Sequence, residues 1–180
     1  MHATTRAPVA VIGVGNVLLG DDGIGPCVAR LLEGRLPGVD VLDCGTAGLD
    51  VSAEVLDRRI VVFVDAVDGT RAGHEPGTVV VLGHDVLTTG GPTGPRMSPH
   101  EPGVRDALAI ADLVDRAPRV ALLVGIVPAT TEMGTTLTPA VAAAAVPAAN
   151  RVISELAALG IVHPTLREAD VGVVEGFFGA

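Results

Sequence analysis

Tryptophan and tyrosine are absent and phenylalanine occurs three times, so the core of this 180-residue chain must be aliphatic. Two cysteines, Cys27 and Cys44, are too few and too irregularly spaced for a disulfide framework or a structural zinc site. They are read as reduced and buried, as in a cytoplasmic protein. No apolar run reaches the length of a bilayer span; the longest are strand-sized or interrupted by proline. The N-terminus carries one arginine and no apolar h-region, so no signal peptide is expected. Basic residues are in deficit, 12 against 21 acidic ones, and the formal net charge is −9. That charge argues against nucleic acid and anionic membrane as partners and suits a basic peptide or a cation.

What is present describes a folded domain. Hydrophobic residues make up 48% and charged residues 18%, which excludes a disordered chain. The length suffices for one domain with a sizeable core. A single domain is expected over residues 1–163, followed by a loosely held tail over 164–180.

The most informative stretch is VAVIGVGNVLLGDDGIG, residues 9–25. Its apolar opening reads as a buried strand, and Gly13 and Gly15 allow a sharp turn. Asp21-Asp22-Gly23 follows, and then apolar residues at helical spacing. A strand therefore delivers two carboxylates to a loop that feeds a helix. This is no dinucleotide fingerprint: Leu18 stands where G-x-G-x-x-G needs glycine, and two aspartates at the helix start would repel a pyrophosphate. Carboxylates there are stabilised as anions by the helix dipole, which suits cation binding. Asp21 reads as a helix cap, while the role of Asp22 depends on what the rest of the chain supplies.

Further along, a helix is predicted over 23–35 and a short strand at 39–42, ending in the tight loop Asp43-Cys44-Gly45-Thr46. A helix over 49–56 precedes a strand over 59–64 with Asp65 at its end. A strand over 78–82, a loop over 87–95 with nothing to bury, a helix around 104–114 and a strand over 120–127 follow. Thr138-Pro139 marks the start of the last helix, Pro147 should kink it, and Gly160 stops it. Alternation of strands and helices implies a three-layer α/β/α fold with a mostly parallel sheet. Ligands bind beyond the carboxyl ends of such strands, which selects Asp22, Asp43, Asp65 and the loop after Val127.

Of five histidines, His100 stands apart. Ser98-Pro99-His100-Glu101-Pro102 resembles a capping box, although Pro102 biases Glu101 away from helical geometry. A helix N-terminus keeps an imidazole neutral and able to ligate metal. Asp22, Asp65 and His100 together form a donor set suited to divalent zinc, nickel or a similar ion.

The motifs GVGNVLLGDDGIG, DCGTAG, VVFVDAVD, SPHE and LLVGIVP, with LTP before the last helix, resemble those of the hydrogenase maturation endopeptidases in order and spacing from about residue 11 to 160. The resemblance implies a cytoplasmic, monomeric peptidase with a twisted five-stranded sheet between helices. Such an enzyme removes a C-terminal extension from a nickel–iron hydrogenase large-subunit precursor after nickel insertion. It places the metal-binding residues on Asp22, Asp65 and His100, and a substrate loop on Asp43, Cys44, Gly45 and Thr46. Asp22 stands where the family has glutamate, one methylene shorter, and Cys44 where glycine is common.

On this reading the three side chains bind the nickel already held by the precursor, and no covalent nucleophile is expected. Two rivals differ in class. One is a non-catalytic metal-sensing or chaperone module on the same scaffold; the other is a nucleotide-binding enzyme read from Gly13 and Gly15.

Overall fold

A computed structural model describes residues 6–46, 49–69, 73–89, 96–97, 101–161 and 163–167. The strands are β1 (Val9–Gly13), β2 (Asp40–Asp43), β3 (Ile60–Asp68), β4 (Val79–Gly83), β5 (Arg96–Met97) and β6 (Val120–Ile126). The helices are α1 (Ile24–Leu32), entered through the 3-10 turn Gly20–Gly23, then α2 (Leu49–Val55), α3 (His84–Thr89), α4 (Glu101–Leu113) and α5 (Pro139–Ala158). Five strands lie in the order β2-β1-β3-β6-β4, and two-residue β5 pairs with β3. All neighbours on the five-strand path are parallel except β4, which runs antiparallel to β6. The expected three-layer, mostly parallel five-stranded architecture is the one observed, with β5 as an addition.

Strand alternation separates the two faces of this sheet. Val9, Val11, Ile60, Val62 and Val64 pack under α1 and α5, while Ala10, Ile12, Val61, Phe63 and Val67 pack under α2, α3 and α4. Both faces of β1 are covered, hence its unbroken apolar sequence and complete burial.

Three glycines let helix and sheet meet backbone to backbone. A Cβ on Gly25 would lie 2.0 Å from the Val14 carbonyl oxygen and 2.5 Å from that of Val64. One on Gly13 would lie 2.5 Å from the Gly25 carbonyl oxygen, and one on Gly15, whose φ is +144°, would lie 1.9 Å from that of Asp22. No other residue permits so close an approach.

Several sequence expectations are corrected. Helix α1 stops at Leu32 rather than Arg35, because Gly34 takes a left-handed φ of +69° before Pro37 is reached. The supposed loop over 87–95 begins as helix α3, and Leu87 is fully buried in the second core cluster. Pro102 does not exclude Glu101 from α4, since proline is tolerated in a first helical turn. Pro147 does lie inside helix α5, at an exposed position. The helix ends in a Schellman motif, with Ile161 N–H donating to Leu156 and Gly160 N–H to Ala157. Of the tail expected over 164–180, residues 168–180 lie outside the described residues; before them, Asn150 accepts from the Leu166 amide at 2.7 Å and donates to its carbonyl at 3.2 Å.

At the amino end of the sheet a buried arginine ties three elements together. Arg58, with 1% of its side chain exposed, donates to the Ala7 carbonyl, to Asp40 Oδ2 and to both the carbonyl and carboxylate of Glu54. Burial pushes the Asp40 carboxyl up, but hydrogen bonds from Arg58 and the Ala7 amide, with the charges of Arg58 and Arg6, outweigh it. The net pKa lies below the ordinary 3.8.

Two predictions follow from these contacts. Gly25→Ala should lower stability by about 3 kcal/mol or more in urea unfolding. Gly83→Ala, where nothing lies within 4 Å, should stay within about 0.5 kcal/mol of the parent. Because the folded pKa of Asp40 is depressed, its contribution is complete above the unfolded value and is lost as pH falls through the folded one. Thermal unfolding between about pH 5 and pH 2 should therefore show a decline that Asp40→Asn flattens.

Candidate active site

The carboxyl end of the sheet is assembled by four short segments. Beyond β1 the Val14 amide still pairs with the Val64 carbonyl at 2.8 Å, and the chain then turns at Gly15. Asn16 Oδ1 accepts from the Leu18 amide at 2.9 Å, an Asx-type turn that feeds the 3-10 turn. Asp22 reaches back, its Oδ2 accepting from the Asn16 amide at 2.7 Å, so a carboxylate closes the loop. It is not the cap of α1: the residue there is Gly23, with no side-chain hydrogen bond.

Asp21 is not a cap either. It is fully buried and accepts four hydrogen bonds from the opposite loop: from the amides of Ala129 (2.8 Å), Thr130 (3.2 Å) and Thr138 (2.6 Å), and from Thr138 Oγ1 (2.9 Å). Thr138 does occupy the N-cap position of α5, with proline after it, but its hydroxyl serves Asp21 instead of the helix. A parallel bridge from Leu19 to Gly134 completes the junction, with Gly20 N–H donating to the Gly134 carbonyl at 2.8 Å. This role escaped the sequence reading because the partners lie 108 to 117 residues away. The adjacent Asp-Asp pair was the only local sign. The joined loops leave Val17, Leu18 and Met133 exposed at the rim.

Asp65 is fully buried, and it lies inside β3 rather than at its end. The parallel ladder with β1 stops at Val64, one residue earlier, while the ladder with β6 continues past it. By alternation Asp65 shares the face of Phe63 and Val67, the face covered by α2 and α4. The 3-10 turn bearing Asp22, itself 1% exposed, packs against β3. Among the described residues no donor reaches Oδ1 of Asp22 or Oδ1 of Asp65. Two ionisable oxyacids are thus withdrawn from water at one end of the sheet. Such burial is costly unless each carboxylate is paired, hydrogen-bonded or cation-bound.

His100 lies outside the described residues, as do Ser98 and Pro99. Its neighbours in the chain are placed: Met97 on β5 pairs with Val67 of β3, and Glu101 opens α4. Among the described residues no three of His, Cys, Asp and Glu gather to hold a metal. The structure brings Asp22 and Asp65 to one end of the sheet, and the third predicted ligand, His100, lies outside the described residues.

The loop Asp43-Cys44-Gly45-Thr46 is stitched to the same end. The Cys44 amide donates to the Gly13 carbonyl at 3.0 Å, and the Gly15 amide to the Gly45 carbonyl at 2.8 Å. Asp43 Oδ1 accepts from the Gly45 amide at 3.0 Å, and Gly45 takes a φ of +53°. Asp43 and Thr46 are exposed and Cys44 is half-buried. Cys27 is buried in α1, its thiol pushed up to about 12 by that burial, which keeps it protonated and inert.

The architecture and the polar end of its sheet define a three-layer α/β protein with its ionisable side chains collected at the carboxyl ends of parallel strands. Residues 26–155 match the family described as hydrogenase maturation protease, HycI. The chain is 33% identical over 159 residues to hydrogenase 2 maturation protease of Escherichia coli, an alignment covering 85% of this chain and 93% of that protein. Among solved structures, hydrogenase maturating endopeptidase HybD from E. coli superposes with a TM-score of 0.74 at 32% identity, covering 88% of this chain and 96% of that one. The NiFe hydrogenase maturation protease HybD from Thermococcus kodakarensis gives 0.64 at 26% identity, covering 85% and 99%. The chain belongs to the hydrogenase maturation protease family and is an endopeptidase, a hydrolase of peptide bonds.

Removing the Asp21 carboxylate should leave its buried donors without an acceptor. Asp21→Ala is expected to cost about 3 kcal/mol in urea unfolding. An unchanged midpoint would mean that the two loops are held by other contacts.

Proposed function

We propose that this endopeptidase removes the C-terminal extension of a nickel–iron hydrogenase large-subunit precursor, and that it recognises the nickel the precursor already carries. Asp22, Asp65 and His100 would grip that ion. The observation that carries the reading is the burial of two carboxylates, Asp22 and Asp65, at the one end of the sheet where α/β folds place ligands. Supporting it, β5 joins the carboxyl end of β3 immediately before the sequence reaches His100, on the strand that bears Asp65. The nickel is cargo of the substrate and not a resident cofactor. Oxygen donors and one imidazole suit such a divalent ion and leave coordination positions open.

In this reading the ion does two jobs for the protein. It reports that the precursor is loaded, and it fixes the adjoining polypeptide against the rim formed by Asp43, Cys44, Gly45 and Thr46. While bound, the ion can polarise the scissile carbonyl or a water beside it. The buried carboxylates exclude bulk water and hold the donor geometry. Asp22, one methylene shorter than the family's glutamate, is held by the Asn16 amide and packed against β3. A protein working as a cytoplasmic monomer belongs to the same proposal.

The test is incubation of the purified protein with nickel-loaded precursor, followed by mass spectrometry of the precursor. The expected result is loss of a C-terminal fragment, no loss from nickel-free precursor, and no loss with Asp22→Ala, Asp65→Ala or His100→Ala. Binding without cleavage by the parent protein would favour the metal-sensing module. Normal cleavage by His100→Ala would remove that residue from the site.

A further inference from the structure

The outer edge of β2 carries a feature that the metal-centred reading does not use. β2 ends the sheet, and among the described residues no strand pairs with its outer side. Three of its four residues are only partly buried and Asp43 is exposed, whereas β1 beside it is wholly covered. Cys44 N–H points at the Gly13 carbonyl, so by strand alternation the main-chain groups of Asp40 and Leu42 also face β1. Those of Val41 and Asp43 therefore point outward, away from the sheet.

Hollows flank this edge on both faces, at the period of a strand. On the α1 side, Val41 and Asp43 join Arg30 and Glu33 around a cavity of about 90 Å³. On the α2 side, Leu42 and Cys44 join Ala53 and Glu54 around one of about 320 Å³, and Asp43, at the end of the strand, borders both hollows. Alternate side chains of an added strand would meet the two hollows in turn. Around them the carboxylates of Glu33 and Asp43 stand with the guanidinium of Arg30, while that of Glu54 is already paired with Arg6 and Arg58. That balance, with a net charge of −9, disfavours an acidic occupant. The strand then runs directly into Asp43-Cys44-Gly45-Thr46, which is hydrogen-bonded to the turn before Asp22.

We infer that the outer edge of β2 is the docking track for the precursor: an extended segment next to its cleavage point, poor in carboxylates, adds as a further strand and is led to the site. Main-chain hydrogen bonds to Val41 and Asp43 supply affinity, and the two hollows supply side-chain preference. Shortness and terminal carboxylates, with Asp40 in the Arg58 cluster, discourage the same edge from pairing with itself. This inference rests on the peptidase reading and names how that site takes its substrate.

The test uses the full-length protein and a synthetic peptide spanning the C-terminal processing region of the hydrogenase large-subunit precursor. Amide hydrogen exchange of Val41 and Asp43 should slow when peptide is added. N-methylation of the peptide at every second residue should weaken binding at least about fivefold in one register and leave it unchanged in the other. Val41→Pro removes one outward donor while leaving the β1 ladder intact, and should weaken peptide binding to a similar extent. The exchange and N-methylation arms need no variant to fold. Amides already slow without peptide would show the edge occupied by this chain or a second copy, and would overturn the inference. Equal effects in both N-methylation registers would overturn it too. Cleavage of nickel-loaded precursor is followed in parallel: cleavage with fast Val41 and Asp43 amides sinks the track alone, whereas absence of cleavage by the parent protein sinks the peptidase reading.

Discussion

Backbone contact between α1 and the carboxyl ends of β1 and β3 is the constraint on which the remaining geometry depends. At Gly25 there is no room for a single carbon between the helix and the carbonyl oxygens of Val14 and Val64. With the start of α1 seated there, the turn before it is drawn down onto β3, and Asp22 arrives beside the strand that carries Asp65. Gly13 and Gly15 complete the fit from the strand side. Larger residues would lift the helix, and the first casualty would be the position of the carboxylates.

The sheet carries buried charge at both ends, and the two ends treat it differently. At the amino end Arg58 is surrounded by acceptors from the starts of β1 and β2 and from α2, a closed arrangement with a structural purpose. At the carboxyl end Asp21 is equally well satisfied, taking four donors from the loop before α5. Its neighbour Asp22 accepts from the Asn16 amide and sits against β3, where Asp65 is also buried. Adjacent aspartates thus divide: one fixes two loops to each other, and the other, in the proposed reading, is presented to the nickel of the precursor. Rigidity of the first is what gives the second a defined position.

Around this stiff end the fold keeps a softer margin. β2 is short, half-exposed and flanked by hollows, and it lies outside the two-sided burial that holds β1 and β3. A metal site needs donors held to fractions of an ångström, whereas a peptide track needs an accessible edge. The proposed metal grip and the proposed peptide track would fall on a central and an edge strand, joined through Gly15 and Gly45, which would satisfy both requirements.

The layered fold was legible because both signals it needs are local. The apolar run over Val9–Gly13 announces a strand buried on both faces, and Gly13, Gly15 and the Asp-Asp pair announce the turn after it. Where a signal depended on distant packing, the local reading failed. Leu87 sits among threonine, glycine and proline and reads as loop, yet the core under α4 takes it in. Asp65 was recognised as a strand-end carboxylate, but β3 runs on because β5 and β6 supply partners beyond Val64.

By itself, then, the order of residues determined the alternation of strands and helices, the aliphatic core and the carboxylates at the carboxyl ends of the strands. Only the tertiary structure decided which aspartate is consumed by the scaffold. Asp21 and Asp22 have the same chemistry and adjacent places in the chain. Their roles separate because the donors of Ala129, Thr130 and Thr138 reach Asp21, while Asp22 turns back to Asn16 and the sheet. A hydrogen bond between residues more than a hundred positions apart leaves no local pattern, and it exists only once the chain has closed on itself.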